Sequence, residues 1–326
     1  SKGALRASYS TGFRAPTLHQ RHITNSQYII VAGSSEPVLQ GTLANNNPAV
    51  VALGVPNLTH EISKNIAAGF TYKFNNKFSA SVDFYQIKVD DRVLFSSQIA
   101  FRKDAGDIVD INGDGKIAGD AEFSTDINPV EKILVDNKVS GMQFFINAGD
   151  TKNTGADIVL NYSRIDFAGG RLNTSFSANF NKVTIDKINT PSALSASGYD
   201  IFDRREQSLI TSSRPRSKMI LGLAFTKNKW DFSLNNTRFG EVTLASSDPT
   251  KDQELSAKIA TDLGFTYRLT DKININGNIN NIFDVYPDES RADTGETGGG
   301  RFRYTSQVQQ LGQLGTNYSL GFNYQF

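Results

Sequence analysis

Cysteine is absent from the 326 residues, and His (three), Met (two) and Trp (one) are scarce. The missing thiols exclude a disulfide framework, a thiolate zinc site and a cysteine nucleophile, and three histidines leave little for a histidine-rich metal centre. An excess of either charge is also lacking: Lys+Arg 34 against Asp+Glu 33 leaves a net +1, which argues against nucleic acid or another polyionic partner. No run approaches the roughly 18 apolar residues of a membrane-spanning helix, and the mean hydropathy is −0.35. These values suit a soluble protein. They suit a transmembrane β-barrel equally, because its strands alternate lipid-facing apolar and lumen-facing polar residues and average to mild hydrophilicity. Only residue order separates the two.

That order is period two. At the C-terminus Tyr318, Leu320, Phe322, Tyr324 and Phe326 alternate with Asn317, Ser319, Gly321, Asn323 and Gln325, the pattern of a strand with one apolar and one polar face. Upstream, Ile273, Ile275 and Ile279 oppose Asn274, Asn276, Asn278 and Asn280, and an asparagine ladder cannot line a dry core. The same reading predicts ten strands, at about 3–13, 62–74, 77–95, 151–164, 171–186, 216–226, 229–243, 257–269, 272–283 and 314–326.

Connections alternate between short and long. Short turns fall at Asn75 to Lys77, Asp166 to Gly170, Lys227 to Lys229 and Thr270 to Lys272, all with hairpin residue types. Between them lie long polar connections around 14–61, 96–150, 187–215, 244–256 and 284–313. Structureless loops of that length are out of place in a compact soluble domain, and expected on the outer side of an outer-membrane barrel. Phe74, Phe78, Trp230, Tyr267, Tyr324 and Phe326 cluster by the short turns or the chain end, where an interfacial aromatic girdle belongs. The fold class read from the pattern is therefore all-β, an antiparallel transmembrane barrel in the outer membrane.

Three stretches carry a family likeness. Ser10-Thr11-Gly12-Phe13-Arg14-Ala15-Pro16-Thr17, the segment from Pro56-Asn57-Leu58 through Glu61-Ile62-Ser63-Lys64-Asn65 to Gly69, and Asn280-Asn281-Ile282-Phe283-Asp284-Val285-Tyr286-Pro287 resemble TonB-dependent outer-membrane receptors, with Asn147-Ala148-Gly149 and Thr154-Gly155-Ala156-Asp157 as a weaker fourth match. The resemblance implies a barrel of 22 strands plugged by an N-terminal domain, of which residues 1–326 form the C-terminal portion, without the plug domain or the first barrel strands. It further implies uptake of a scarce solute (a siderophore-bound iron, a cobalamin, a glycan or a peptide) with energy delivered by TonB-ExbB-ExbD through the plug, no enzymatic activity and no required cofactor. The alternative is a passive porin-like or adhesin-like barrel.

One motif invites metal chemistry. Asp110-Ile111-Asn112-Gly113-Asp114-Gly115-Lys116 matches the first half of an EF-hand-type loop, with oxygen side chains at Asp110, Asn112 and Asp114 and the Lys116 carbonyl next. Ala121 stands where a bidentate Glu belongs, so Asp120 or Glu122 must substitute for it. The expected role is a structural calcium that stiffens an outer loop; the plain reading is a solvated turn. His19 and His22 need a third ligand from another loop to hold a metal. Asp203-Arg204-Arg205-Glu206 and Arg214-Pro215-Arg216 sit at the outer ends of two strands, where arginine forks meet either lipopolysaccharide phosphate or ordinary rim carboxylates. Tyr28, Phe95, Phe101, Phe123, Phe144, Phe145, Tyr199, Phe202 and Tyr304 are candidates for a solute platform or for packing the loops together.

Overall fold

The computed structural model describes residues 2–29, 38–100, 128–291, 302–305, 307–308 and 310–326. With strands numbered in chain order, one ten-stranded antiparallel sheet dominates: β1 (Gly3–Arg14), β4 (Glu61–Lys73), β5 (Phe78–Phe95), β8 (Phe145–Phe167), β9 (Gly170–Ile188), β10 (Ser217–Lys227), β11 (Trp230–Phe239), β14 (Lys258–Arg268), β15 (Ile273–Asn280) and β16 (Asn317–Tyr324). Its members lie side by side in chain order, as the alternating pattern predicts. Among the described residues β1 pairs only with β4 and β16 only with β15, so the ten strands form an open sheet.

Register sorts the side chains onto two faces. Leu5, Phe70, Val82, Ile158, Ala178 and Met219 are successive cross-strand neighbours on one face. One residue along, Arg6, Gly69, Asp83, Asp157, Asn179 and Lys218 line the other. The apolar face is open to its surroundings: Leu5 is 89% exposed and Tyr318 84%. At the short-turn end the aromatics touch, with Phe74 stacked on Phe78 at 4.8 Å and Trp230 against Tyr267 at 4.5 Å. The turns themselves are tight. Ala168 (φ 47) and Gly169 (φ 73) take the left-handed conformation that a two-residue hairpin turn demands, and Asn75 Oδ1 accepts from the N–H groups of Lys77 and Phe78.

The long connections depart from the expectation of plain polar loops. They contain a second sheet of β2 (Asn25–Ile29), β3 (Val38–Thr42), β7 (Val139–Gln143) and β6 (Ile99–Ala100). They also hold a separate two-stranded hairpin of β12 (Val242–Leu244) and β13 (Gln253–Leu255), and helices α1 (Leu18–His22), α2 (Pro48–Ala52), α3 (Pro129–Asp136), α4 (Ser192–Ala196) and α5 (Arg204–Thr211). Local signals explain the helices. Asn47 caps α2 ahead of Pro48, and Asn128 forms a capping box with Glu131 ahead of Pro129 in α3. Their apolar faces, Ala49 and Val50 with Val130 and Leu134, close over Leu43, Met142, Phe144, Ile201 and Phe202 in one dry core. Hydrophobic residues too few and too irregular to show a period in sequence thus fold three loops into a single cap. β8 begins six residues earlier than the pattern predicts because its first residues, Phe145 to Asp150, lend Ile146 and Ala148 to that cap.

Candidate functional site

Where the cap meets the polar face, a concavity of about 470 Å³ opens at the long-loop end, lined by Arg14, Gln20, Glu61, Arg92, Thr151 and Asn153 among others. Arg14, the last residue of β1, lies directly across from Glu61, the first of β4. Its guanidinium forks onto that carboxylate, Nε to Oε2 at 2.8 Å and Nη2 to Oε1 at 2.5 Å, and Nη1 reaches Gln20 Oε1 at 3.2 Å. Gln20 is in turn fixed by the Thr17 capping box of α1. Glu61 also accepts from the Val93 N–H at 2.7 Å. The pair is thereby held by both strands flanking the mouth.

Arg92 reaches the site through a β-bulge. Pairing of β5 with β8 shifts between Val89 and Arg92, and Asp91 sits at φ 54 with its N–H donating to Asp150 Oδ1 at 3.0 Å. The extra residue re-aims the strand, so Arg92 Nη1 meets Thr151 Oγ1 at 3.2 Å. Among the described residues Arg92 has no carboxylate within ion-pair distance. Arg14 is neutralised and Arg92 is not, so the mouth presents one uncommitted guanidinium, a group suited to a bidentate anion.

Below the mouth the polar face carries charged and hydrogen-bonding side chains. Arg6 on β1 reaches past Gly69 on β4 to pair with Asp83 on β5, and bonds Thr71 on the way. A Cβ at Gly69 would overlap the Asp83 carboxylate. Tyr85 lies over Gly155 in the same manner, its hydroxyl accepting from Asn179 Nδ2, which also donates to Asp157. The larger concavity, about 580 Å³, is on the apolar face between Phe167, Phe225, Phe232 and Phe265, and suits acyl chains.

The residues read from sequence fare differently. Asp110, Asn112, Asp114, Lys116 and Asp120 of the calcium-type loop lie outside the described residues, as do Phe101, Phe123 and Gly295 to Gly300. His19 and His22 are on α1, and no group of three or more His, Cys, Asp or Glu able to hold a metal occurs among the described residues. The arginine segments work within the cap. Asp203 caps α5, Arg204 grips Asp252 and the Ser246 carbonyl, Arg214 donates to the Ser213 and Gln307 carbonyls, and Arg216 to Thr211. The hydrogen bond from Arg204 holds the Asp252 carboxyl below its ordinary range. Of the described aromatics, Phe144, Tyr199 and Phe202 are buried in the cap core, Phe95 contacts Phe145, Tyr304 stacks on Tyr286, and Tyr28 stands exposed. Arg92 was not legible as a site residue, because the bulge that aims it depends on pairing with β8.

The motif stretches prove to be joints between strand and loop. Arg14 and Glu61 come from the first two. Asn147 binds the Thr59 backbone with both ends of its amide and also donates to the Asp91 carbonyl. Asn281 brackets Val285 and Asp284 accepts from the Thr316 N–H.

Comparison with known proteins gives the same picture. The family model described as TonB dependent receptor-like, beta-barrel, matches residues 2–282. No curated protein matches the chain in sequence. Solved structures similar in fold include the FrpB iron transporter from Neisseria meningitidis (F3-3 variant; TM-score 0.54, 15% identity, 100% of this chain and 37% of that one). A mutant of the ferric enterobactin receptor PfeA from Pseudomonas aeruginosa is also similar (0.56, 13%, 100% and 38%), as is the copper transporter OprC (0.54, 12%, 99% and 37%). At these identities the likeness is one of fold, and the chain spans little more than a third of each structure. With the family match over most of its length, the ten-stranded sheet and the loop cap in place, the chain belongs to the TonB-dependent receptor family, as a portion of its outer-membrane β-barrel.

Proposed function

We propose that this chain is part of an active-transport receptor that takes up a scarce solute across the outer membrane with TonB-derived energy. The observation that carries the reading is the mouth itself: a folded cap over a polar, charged barrel wall, with the uncommitted Arg92 at the boundary beside the clamped Arg14–Glu61 pair. Such a site receives a polar solute bearing an anionic group, a siderophore-type chelate before a neutral glycan. The similar structures named for iron, copper and ferric enterobactin transport support the same class. Further strands join β16 back to β1 in a 22-stranded barrel, since a bare sheet edge in lipid leaves backbone groups without partners. A plug domain couples this barrel to TonB-ExbB-ExbD.

A deletion strain carrying the full-length gene or its R92Q variant, grown on single iron, cobalamin, glycan and peptide sources with and without a working TonB, tests this. Growth on one source should need both TonB and Arg92. Growth independent of TonB would place the protein with passive barrels, and a TonB-dependent phenotype indifferent to R92Q would remove Arg92 from the solute site. We also propose that Asp110, Asn112, Asp114, Lys116 (by its carbonyl) and Asp120 hold a structural calcium. Calcium titration of the full-length protein giving no heat would end that reading.

A further inference from the structure

On the apolar face, the strand ends nearest the cap carry lysines at one height. Lys64 on β4, Lys88 on β5 and Lys152 on β8 are direct cross-strand partners. Lys182 on β9 lies one step lower, opposite Thr154. All four share the face of Phe70, Val82 and Ile158. Like charges directly opposite one another destabilise a sheet, so the row needs counter-charge. Asp90 sits 3.0 Å from Lys64 and 3.1 Å from Lys88, and Asp186 lies 3.6 Å from Lys152. Asp150 adds to the field at Lys88. Asp90, Asp150 and Asp186 are three carboxylates among four ammonium groups, so positive charge is left over, and among the described residues Lys182 has no ion-pair partner.

The height of the row matters as much as its charge. Ten residues separate Lys64 from Phe74, Lys88 from Phe78, and Lys152 from Tyr162, and these three aromatics form the girdle at the opposite end. Ten residues rise roughly 33 Å along a strand. At a tilt of about 40° that is close to the ~25 Å apolar band of an outer-membrane barrel. The lysines therefore stand at the headgroup level of the outer leaflet, with acyl-chain contacts directly beneath them.

We propose that Lys64, Lys88, Lys152 and Lys182 form a docking site on the barrel exterior for the phosphate groups of lipopolysaccharide. Of the arginine segments that the sequence also offered for lipid phosphate, Arg204, Arg214 and Arg216 hold partners in the outer connections. The site rests on the outer-membrane reading but needs neither solute nor TonB.

The test uses lipid-stripped full-length receptor in detergent, titrated with phosphorylated lipid A, the same lipid A after dephosphorylation, and inorganic phosphate, with binding read by native mass spectrometry. Phosphorylated lipid A should bind about tenfold more tightly than the dephosphorylated form, and the K64Q/K88Q/K152Q/K182Q variant should lose about that factor for the phosphorylated lipid alone. Equal binding of the two lipids by the native protein overturns the proposal. So does unchanged binding by a variant that keeps the heat-modifiable gel mobility of a folded barrel. Displacement by inorganic phosphate would mark a free-anion site and reject the lipid. Should the quadruple variant not fold, K182Q alone, which breaks no ion pair among the described residues, should still weaken the phosphorylated lipid by about twofold.

Discussion

The barrel wall and its cap are built by opposite rules from the same composition. The largest fully buried side chains of the described structure lie in the outer connections: Phe144, Leu43, Leu53, Ile99, Leu134, Met142, Leu194, Ile201 and Val50 in the cap core, and Leu244 and Leu255 in a second cluster with Val242 and Val308. In the wall, residues of equal size such as Phe84, Phe232 and Phe322 are exposed. The cap is held by burial away from water, as any globular domain is. The wall is held by its hydrogen-bond ladders and by a solvent that accepts apolar side chains. A chain that looks mildly hydrophilic on average therefore contains one region that is apolar inside and another that is apolar outside.

The largest expected effect probes the cap. Phe144→Ala should cost it about 3–5 kcal/mol, because the side chain is wholly buried and leaves a cavity. Limited proteolysis should then cut within residues 14–60 and 187–216 while the barrel keeps its heat-modifiable mobility. Loss of both together would show that wall and cap do not fold separately. Next comes the wall. Ile158→Arg, on the apolar face between Tyr162 and Lys152, should cost about 2–4 kcal/mol in urea unfolding from lipid, whereas Asn161→Arg on the opposite face should stay within about 0.5 kcal/mol. Equal losses would dissolve the distinction between the two faces.

Smaller is Gly69→Val, which should cost about 1–3 kcal/mol by pushing Asp83 away from Arg6. Arg6→Gln in the same background should then add little, and an additive loss would mean that the glycine serves something else. In the cap, the Arg204 hydrogen bond lowers the Asp252 pKa, so its stabilisation is whole above the unfolded value near 4 and fades as pH falls through the folded one. Protease cleavage between 244 and 256 should rise only below about pH 4, and earlier in Arg204→Gln; a rise near neutrality would point to another group. The smallest effect is a gain: Ala168→Gly relieves a left-handed alanine in the turn and should stabilise by roughly 0.5–1 kcal/mol, measured by the same urea titration. No gain would mean that the turn is already relaxed.

Much of the wall was legible from residue order. Period two, the asparagine ladder of 274–280 and the turn residues placed all ten strands within a few residues, since a strand with unlike faces writes its structure into the sequence one residue at a time. The ends were less legible. β11 stops at Phe239, four residues early, because Val242 to Leu244 pair with Gln253 to Leu255 instead. The cap was hardly legible, its core being assembled from Leu43, Val50, Leu134, Phe144 and Ile201, which are scattered over some 160 positions with no shared period.

The sequence by itself determined which face of each wall strand is apolar, how many strands the wall has, where the short turns fall and which family the joints resemble, because all of these follow from neighbours along the chain. The tertiary structure alone decided that the outer loops fold into a cap, that Arg14 is clamped by Glu61 while Arg92 is left uncommitted, and that four lysines from four strands stand in one row. Each of these depends on register and bulges between strands, which bring together residues that no spacing along the chain relates.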